Sequence, residues 1–74
     1  MMERSTEIAT VYFWNRRDGF GFARGRAGRN VFFNRAELVK SGIKKLAVGD
    51  RLSFEPREDD FGQNIRATNV RVLL

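Results

Sequence analysis

Residues 19–24, "GFGFAR", alternate small and aromatic side chains with a period of two until the closing arginine. Successive side chains of a β-strand point to opposite faces, whereas a helix repeats every 3.6 residues. The segment therefore reads as a strand, with Phe20 and Phe22 on one face and Gly19, Gly21 and Ala23 on the other. The nearly bare face suits the tight interior of a small barrel. "IATVYFWN" (8–15) is rich in β-branched and aromatic residues and reads as the strand before it. "RRDG" (16–19) separates the two, and Asp-Gly is a strong hairpin signal. "GRAGRN" (25–30) reads as a loop and "VFFN" (31–34) as a third strand. "RAELVKSG" (35–42) reads as one or two helical turns ending at Gly42. "LAVGD" (46–50) is a turn, and "RLSFEP" (51–56) is a fourth strand stopped by Pro56. "REDDFGQ" (57–63) is a polar loop, and "NIRATNVRVLL" (64–74) is a fifth strand long enough to need a bend or bulge. Five short strands predict an all-β fold, a small five-stranded barrel with a short helical turn after the third strand.

With 74 residues the chain is expected to be one domain, 1–74, with a modest core. It has neither cysteine nor histidine. Disulfides, Cys-based zinc sites and Ser-His-Asp or Cys-His catalytic arrangements are therefore excluded. Glu55, Glu58, Asp59 and Asp60 form the acidic cluster, which reads as a solvated charge run rather than acid–base machinery. The glycines of "GFGFARG" are not followed by Gly-Lys-Ser/Thr, so they make no phosphate loop. The chain is thus expected to be no enzyme, with no cofactor, no metal and no small-molecule substrate. "MMERSTEIA" has no apolar stretch of the length a signal peptide needs, and no run approaches the roughly 18 apolar residues of a membrane span. A cytoplasmic protein without a membrane partner is expected.

The net charge is +5, and residues 16–35 account for it. Arg16, Arg17, Arg24, Arg26, Arg29 and Arg35 stand there against Asp18 alone, while the rest of the chain balances eight basic with eight acidic residues. The same window holds Phe20, Phe22, Phe32 and Phe33. Two placements of Phe20 and Phe22 compete: in the core with the glycines outside, or outside with the glycines in the core. Counting favours the second. Val11, Val31, Phe33, Leu38, Leu46, Val48, Leu52, Phe54, Ile65, Val70 and Val72 already supply a core, leaving little room for Phe20, Phe22, Phe32 and Trp14. An outward aromatic cluster marks a binding surface. Single-stranded nucleic acid accounts for rings and arginines together, because bases stack on rings and phosphates require positive charge. Arginine's planar fork suits phosphate and also stacks, which lysine cannot do.

These segments resemble the cold-shock domain family. "DGFGFA" (18–23) is similar to its first ribonucleoprotein motif, Lys-Gly-Phe-Gly-Phe-Ile, and "VFFNR" (31–35) to its second, Val-Phe-Val-His-Phe. "TVYFWN" (10–15) resembles the opening Thr-Val-Lys-Trp-Phe-Asn. "LAVGDRLSF" (46–54) and "ATNV" (67–70) resemble the family's fourth-strand turn and its closing Ala-x-Asn-Val. The likeness covers about residues 8–73 in order. It implies an oligonucleotide/oligosaccharide-binding (OB) barrel that binds single-stranded RNA or DNA, as a nucleic-acid chaperone or a regulator of gene expression. The candidate interface is Tyr12, Phe13, Trp14, Arg16, Phe20, Phe22, Arg24, Arg26, Arg29, Phe32, Asn34 and Arg35.

Some positions depart from the family. Asp18 replaces a lysine, Asn34 a histidine, Arg35 a phenylalanine, and Ile43 a loop aromatic. Arg35 is open to two roles, stacking on a base or contacting phosphate at the rim. In the first strand, strict alternation with Val11 buried turns Tyr12 and Trp14 outward, whereas the family match puts Phe13 on the platform; a bulge reconciles them. The departures also leave open a second function, a cold-shock-like barrel serving as a protein- or ribosome-interaction module. Steep salt dependence of oligonucleotide binding distinguishes the first function from the second.

Overall fold

A computed structural model describes residues 6–58 and 65–73. The strands are β1 (Glu7–Asn15), β2 (Phe20–Arg24), β3 (Asn30–Asn34), β4 (Arg51–Glu58) and β5 (Ile65–Leu73), with one short helix, α1 (Arg35–Lys40), after β3. They close into a barrel in the order β1-β2-β3-β5-β4. Every pairing is antiparallel except β3 with β5, which is parallel. This is the five-stranded all-β barrel of OB type that the sequence predicts. The loop 25–30 contains a 3-10 turn, Arg26–Gly28.

The interior is filled from every strand. Val11, Ala23, Val31, Phe33, Leu52, Phe54, Ile65, Ala67 and Val70 are buried, and Leu38 of α1 packs against them. Phe33 and Phe54 are the largest wholly buried side chains. Truncating a buried phenylalanine to alanine costs about 3–5 kcal/mol.

Four expectations change or sharpen. Pro56 does not stop β4, which runs on to Glu58. Among the described residues, β1 pairs with Arg51–Phe54 of β4, and beyond Phe54 the partner of β4 is β5. Pro56 pairs in register with Ala67 of β5, and no described residue of β1 pairs with it, a setting in which a missing N–H is tolerated. Arg57 and Glu58 consequently belong to the strand, while Asp59–Gln63 of the expected loop lie outside the described residues. Val48 is not core but 63% exposed. It sits in a turn that closes through Asp50 N–H donating to Ala47 O, and that turn holds its side chain off the barrel. β5 does bend: its register against β4 shifts between Ser53 and Glu55, where Asn69 takes a left-handed φ of 48°.

Candidate nucleic-acid interface

The β1–β2 pairing decides which rings of β1 face out. Val11 pairs with Ala23, yet Phe13 pairs with Phe22, so Tyr12 is an extra residue in a bulge. After a bulge the alternation changes phase. Tyr12 and Phe13 both emerge on the outer face, at 42% and 40% exposure. Trp14, which strict alternation would turn outward, is half-buried and stacks on the core ring of Phe33 at 5.6 Å between centroids. Phe13 is therefore the β1 ring that joins Phe20 and Phe22 on the outer face, and Trp14 turns toward the core.

Phe20, Phe22 and Phe32 stand beside Phe13. Ring centroids are 5.7 Å apart for Phe13–Phe20, 6.1 Å for Phe13–Phe22, 5.7 Å for Phe22–Phe32 and 6.3 Å for Phe20–Phe32. Tyr12 extends the group by stacking on Phe22 at 6.3 Å. The three β2 and β3 rings are half-buried, because each is flanked by the others. Beneath them, Gly21 explains the bare inner face. A Cβ there would lie 2.6 Å from Phe13 O, 2.6 Å from Phe33 Cζ and 2.9 Å from Trp14 Cε3. Only glycine lets β2 come this close to β1 while Trp14 and Phe33 stack below.

No protein-family model matches the chain. Curated proteins do. Cold shock protein 2 of Lactiplantibacillus plantarum is 34% identical over 62 residues, 84% of this chain and 91% of that protein. Cold shock-like protein CspG of Shewanella violacea is 34% identical over 73 residues, 97% of this chain and 100% of the relative. Cold shock protein CspC of Bacillus subtilis is 32% identical over 65 residues, 88% of this chain and 96% of the relative. The chain belongs to the cold-shock protein family.

Its departures from the family pattern have local explanations. Asp18 helps lock the β1–β2 turn: its N–H donates to Asn15 Oδ1 at 3.0 Å, and Asn15 Nδ2 donates to Asp18 Oδ2 at 2.9 Å. Asn34 caps α1, its Oδ1 accepting from Glu37 N–H at 3.1 Å. Arg35 folds back over the turn. Its Nη2 donates to Arg16 O, and its side chain crowds Gly19. In this structure Arg35 latches β3 and α1 to the turn.

The remaining cations divide in the same way. Arg24 lies 4.7 Å over the Tyr12 ring and donates from Nη1 to Gly28 O at 3.2 Å. Tyr12 hydroxyl donates to Asn30 Oδ1. One face of Tyr12 is thus covered by Arg24 while the ring stacks on Phe22, which makes Tyr12 an end wall of the platform. Arg26 on the 3-10 turn and Arg29 just after it are exposed beside this wall. Arg16 is exposed at the other end of the hairpin. With Arg35, Lys44 and Lys45 it rims a cleft of about 600 Å³ floored by Trp14, Leu38 and Ile43. The sequence reading did not single out Lys44 and Lys45, since the neighbouring segments hide them in a neutral average. Among the described residues, no helix is long and apolar enough to cross a membrane.

Proposed function

We propose that this cold-shock protein binds single-stranded RNA or DNA across the outer face of β1–β3, and acts as a nucleic-acid chaperone or a regulator of gene expression. The observation that carries the reading is the contiguous patch of Tyr12, Phe13, Phe20, Phe22 and Phe32. Bases unstack from one another and restack on such rings at about 1–3 kcal/mol per base. Arg26, Arg29 and Arg16 supply positive charge at the two ends, where a phosphate backbone enters and leaves. Stacking is tolerant of sequence, as a chaperone of single strands requires. Membership of the cold-shock family supports the same reading.

The test is a titration of fluorescent single-stranded RNA and DNA oligonucleotides at two salt concentrations. Binding that weakens steeply with salt, and that Phe22→Ala reduces, is the expected result. Absence of oligonucleotide binding at low salt overturns the proposal and favours a protein- or ribosome-interaction module.

A further inference from the structure

The pairing register continues the platform beyond its last ring. Phe13 pairs with Phe22, and Phe22 with Phe32. Phe32 pairs with Arg66 of β5, and Arg66 with Arg57 of β4. Partners in register share a face of the sheet. The neighbouring pair fixes which face: Val31 and Ile65 are paired and both buried, so Phe32 and Arg66 both point outward. Arg66 and Arg57 are both exposed. One row of side chains therefore crosses all the strands of the barrel, aromatic on β1, β2 and β3, then cationic on β5 and β4.

We infer that Arg66 and Arg57 are a phosphate-binding extension of the platform, which grips a single strand after its bases leave Phe32. The inference rests on the function proposed above. Two like charges placed directly opposite on adjacent strands repel, so the pair is unfavourable when nothing lies between them. An anion spanning both side chains removes that repulsion. Strand spacing of about 4.8 Å brings both guanidinium groups within reach of one phosphodiester backbone. Arginine also suits the step from ring to phosphate, since it can stack at the edge of Phe32 and bind an oxygen at its tip.

The experiment compares the parent with Arg57→Gln/Arg66→Gln, using oligothymidylates of about 4 nucleotides, the lower end of OB-fold site sizes, and about 10, well within their range. The short probe fits on the rings alone and should bind both proteins equally. The long probe should bind the double variant several-fold more weakly, with a log–log salt slope flatter by up to about 1.4, or 0.7 per contact. Arg51→Gln/Arg71→Gln removes the same charge from exposed positions of β4 and β5 outside the row, and should change the slope less. Equal losses from the two pairs would show a general charge effect and overturn the inference. So would an unchanged slope for the long probe in a variant that melts like the parent. If the parent itself binds neither probe, the proposed function fails, a result separate from either of these.

Discussion

On the outer face of β1–β3, Phe13, Phe20, Phe22 and Phe32 touch one another and solvent. Around the junction of β3 and α1, Trp14, Asn34 and Arg35 are committed to the protein itself: one to Phe33, one to the α1 N-terminus, one to the Arg16 carbonyl. Both regions hold residue types suited to a nucleic-acid interface, and both contain candidates from the sequence. The difference lies in the contacts each side chain has already made. A ring with a free face can take a base at little structural cost. A group that caps a helix or latches a turn must first abandon that contact.

Gly21 is where the two regions meet, and its replacement is the most disruptive way to break the comparison. Its missing Cβ makes room for the Phe13 carbonyl of the platform strand and for the Trp14–Phe33 stack beneath. The Phe13 carbonyl is backbone and cannot swing aside. Gly21→Ala should lose about 3 kcal/mol, at the upper end of ordinary overpacking. In a domain of this size each kcal/mol shifts Tm by about 4–8 °C. Thermal or urea denaturation measures it, and parental stability in Gly21→Ala would show that the strand approach is not fixed by sterics.

A pair of truncations then separates the regions. Trp14→Ala should cost about 2 kcal/mol of stability, less than a wholly buried ring, and leave oligonucleotide affinity intact in the folded fraction. Phe22→Ala should do the reverse, losing about 1–3 kcal/mol of binding with a smaller change in stability. Parental Trp14 fluorescence should respond only weakly to oligonucleotide, since its ring stacks on Phe33 off the platform. Strong quenching by bound bases would place Trp14 in the ligand path and remove the distinction.

The alternation of Phe20 and Phe22 with small residues was readable because one strand face is nearly empty, and that pattern fits no helix. The β1–β2 turn followed from Asp18-Gly19, and the five-stranded barrel from the turn spacing and the family motifs. The orientation of Tyr12, Phe13 and Trp14 was not readable from the residues alone. It depends on a bulge whose position is set by how β1 fits β2 and the core, and any of the three rings is acceptable on a strand. The contacts that Asn34 and Arg35 make within the protein were unreadable for a related reason. Asparagine before a helix is a cap signal as much as an interface signal, and Arg35's partner is a backbone carbonyl that no side-chain pattern announces. Arg57 is hidden among acidic neighbours in sequence and Arg66 stands alone among uncharged ones, whereas the register lines them up with Phe32.

Asn34 gives a smaller and sharper test. If its side chain serves α1, Asn34→Ala should cost about 1 kcal/mol, the usual value of an N-cap, and Asn34→Ser should recover most of it. Oligonucleotide affinity should not change in either variant. A fall in affinity for Asn34→Ala at unchanged stability would move this residue to the platform side of the comparison.

The least disruptive test lies within the arginine loop, where both kinds of residue sit a few positions apart. Arg24 is bound at both ends of its guanidinium, over the Tyr12 ring and to the Gly28 carbonyl. Arg26 and Arg29 project from the turn into solvent. A cation already held by the protein exchanges one partner for another when phosphate arrives, so it adds little to binding. An exposed cation only exchanges water and counterions, and their release is what salt dependence reports. Arg26→Gln/Arg29→Gln should therefore flatten the log–log salt slope by up to about 1.4 on a single strand, and Arg24→Gln by clearly less than the 0.7 of a full contact. Arg24→Gln should instead lose about 0.5–1 kcal/mol of stability, the size of an exposed cation–π contact. If Arg24→Gln flattens the slope by a full contact at parental stability, Arg24 leaves Tyr12 when the strand binds. Tyr12 would then offer to a base the face that Arg24 covers in the free protein.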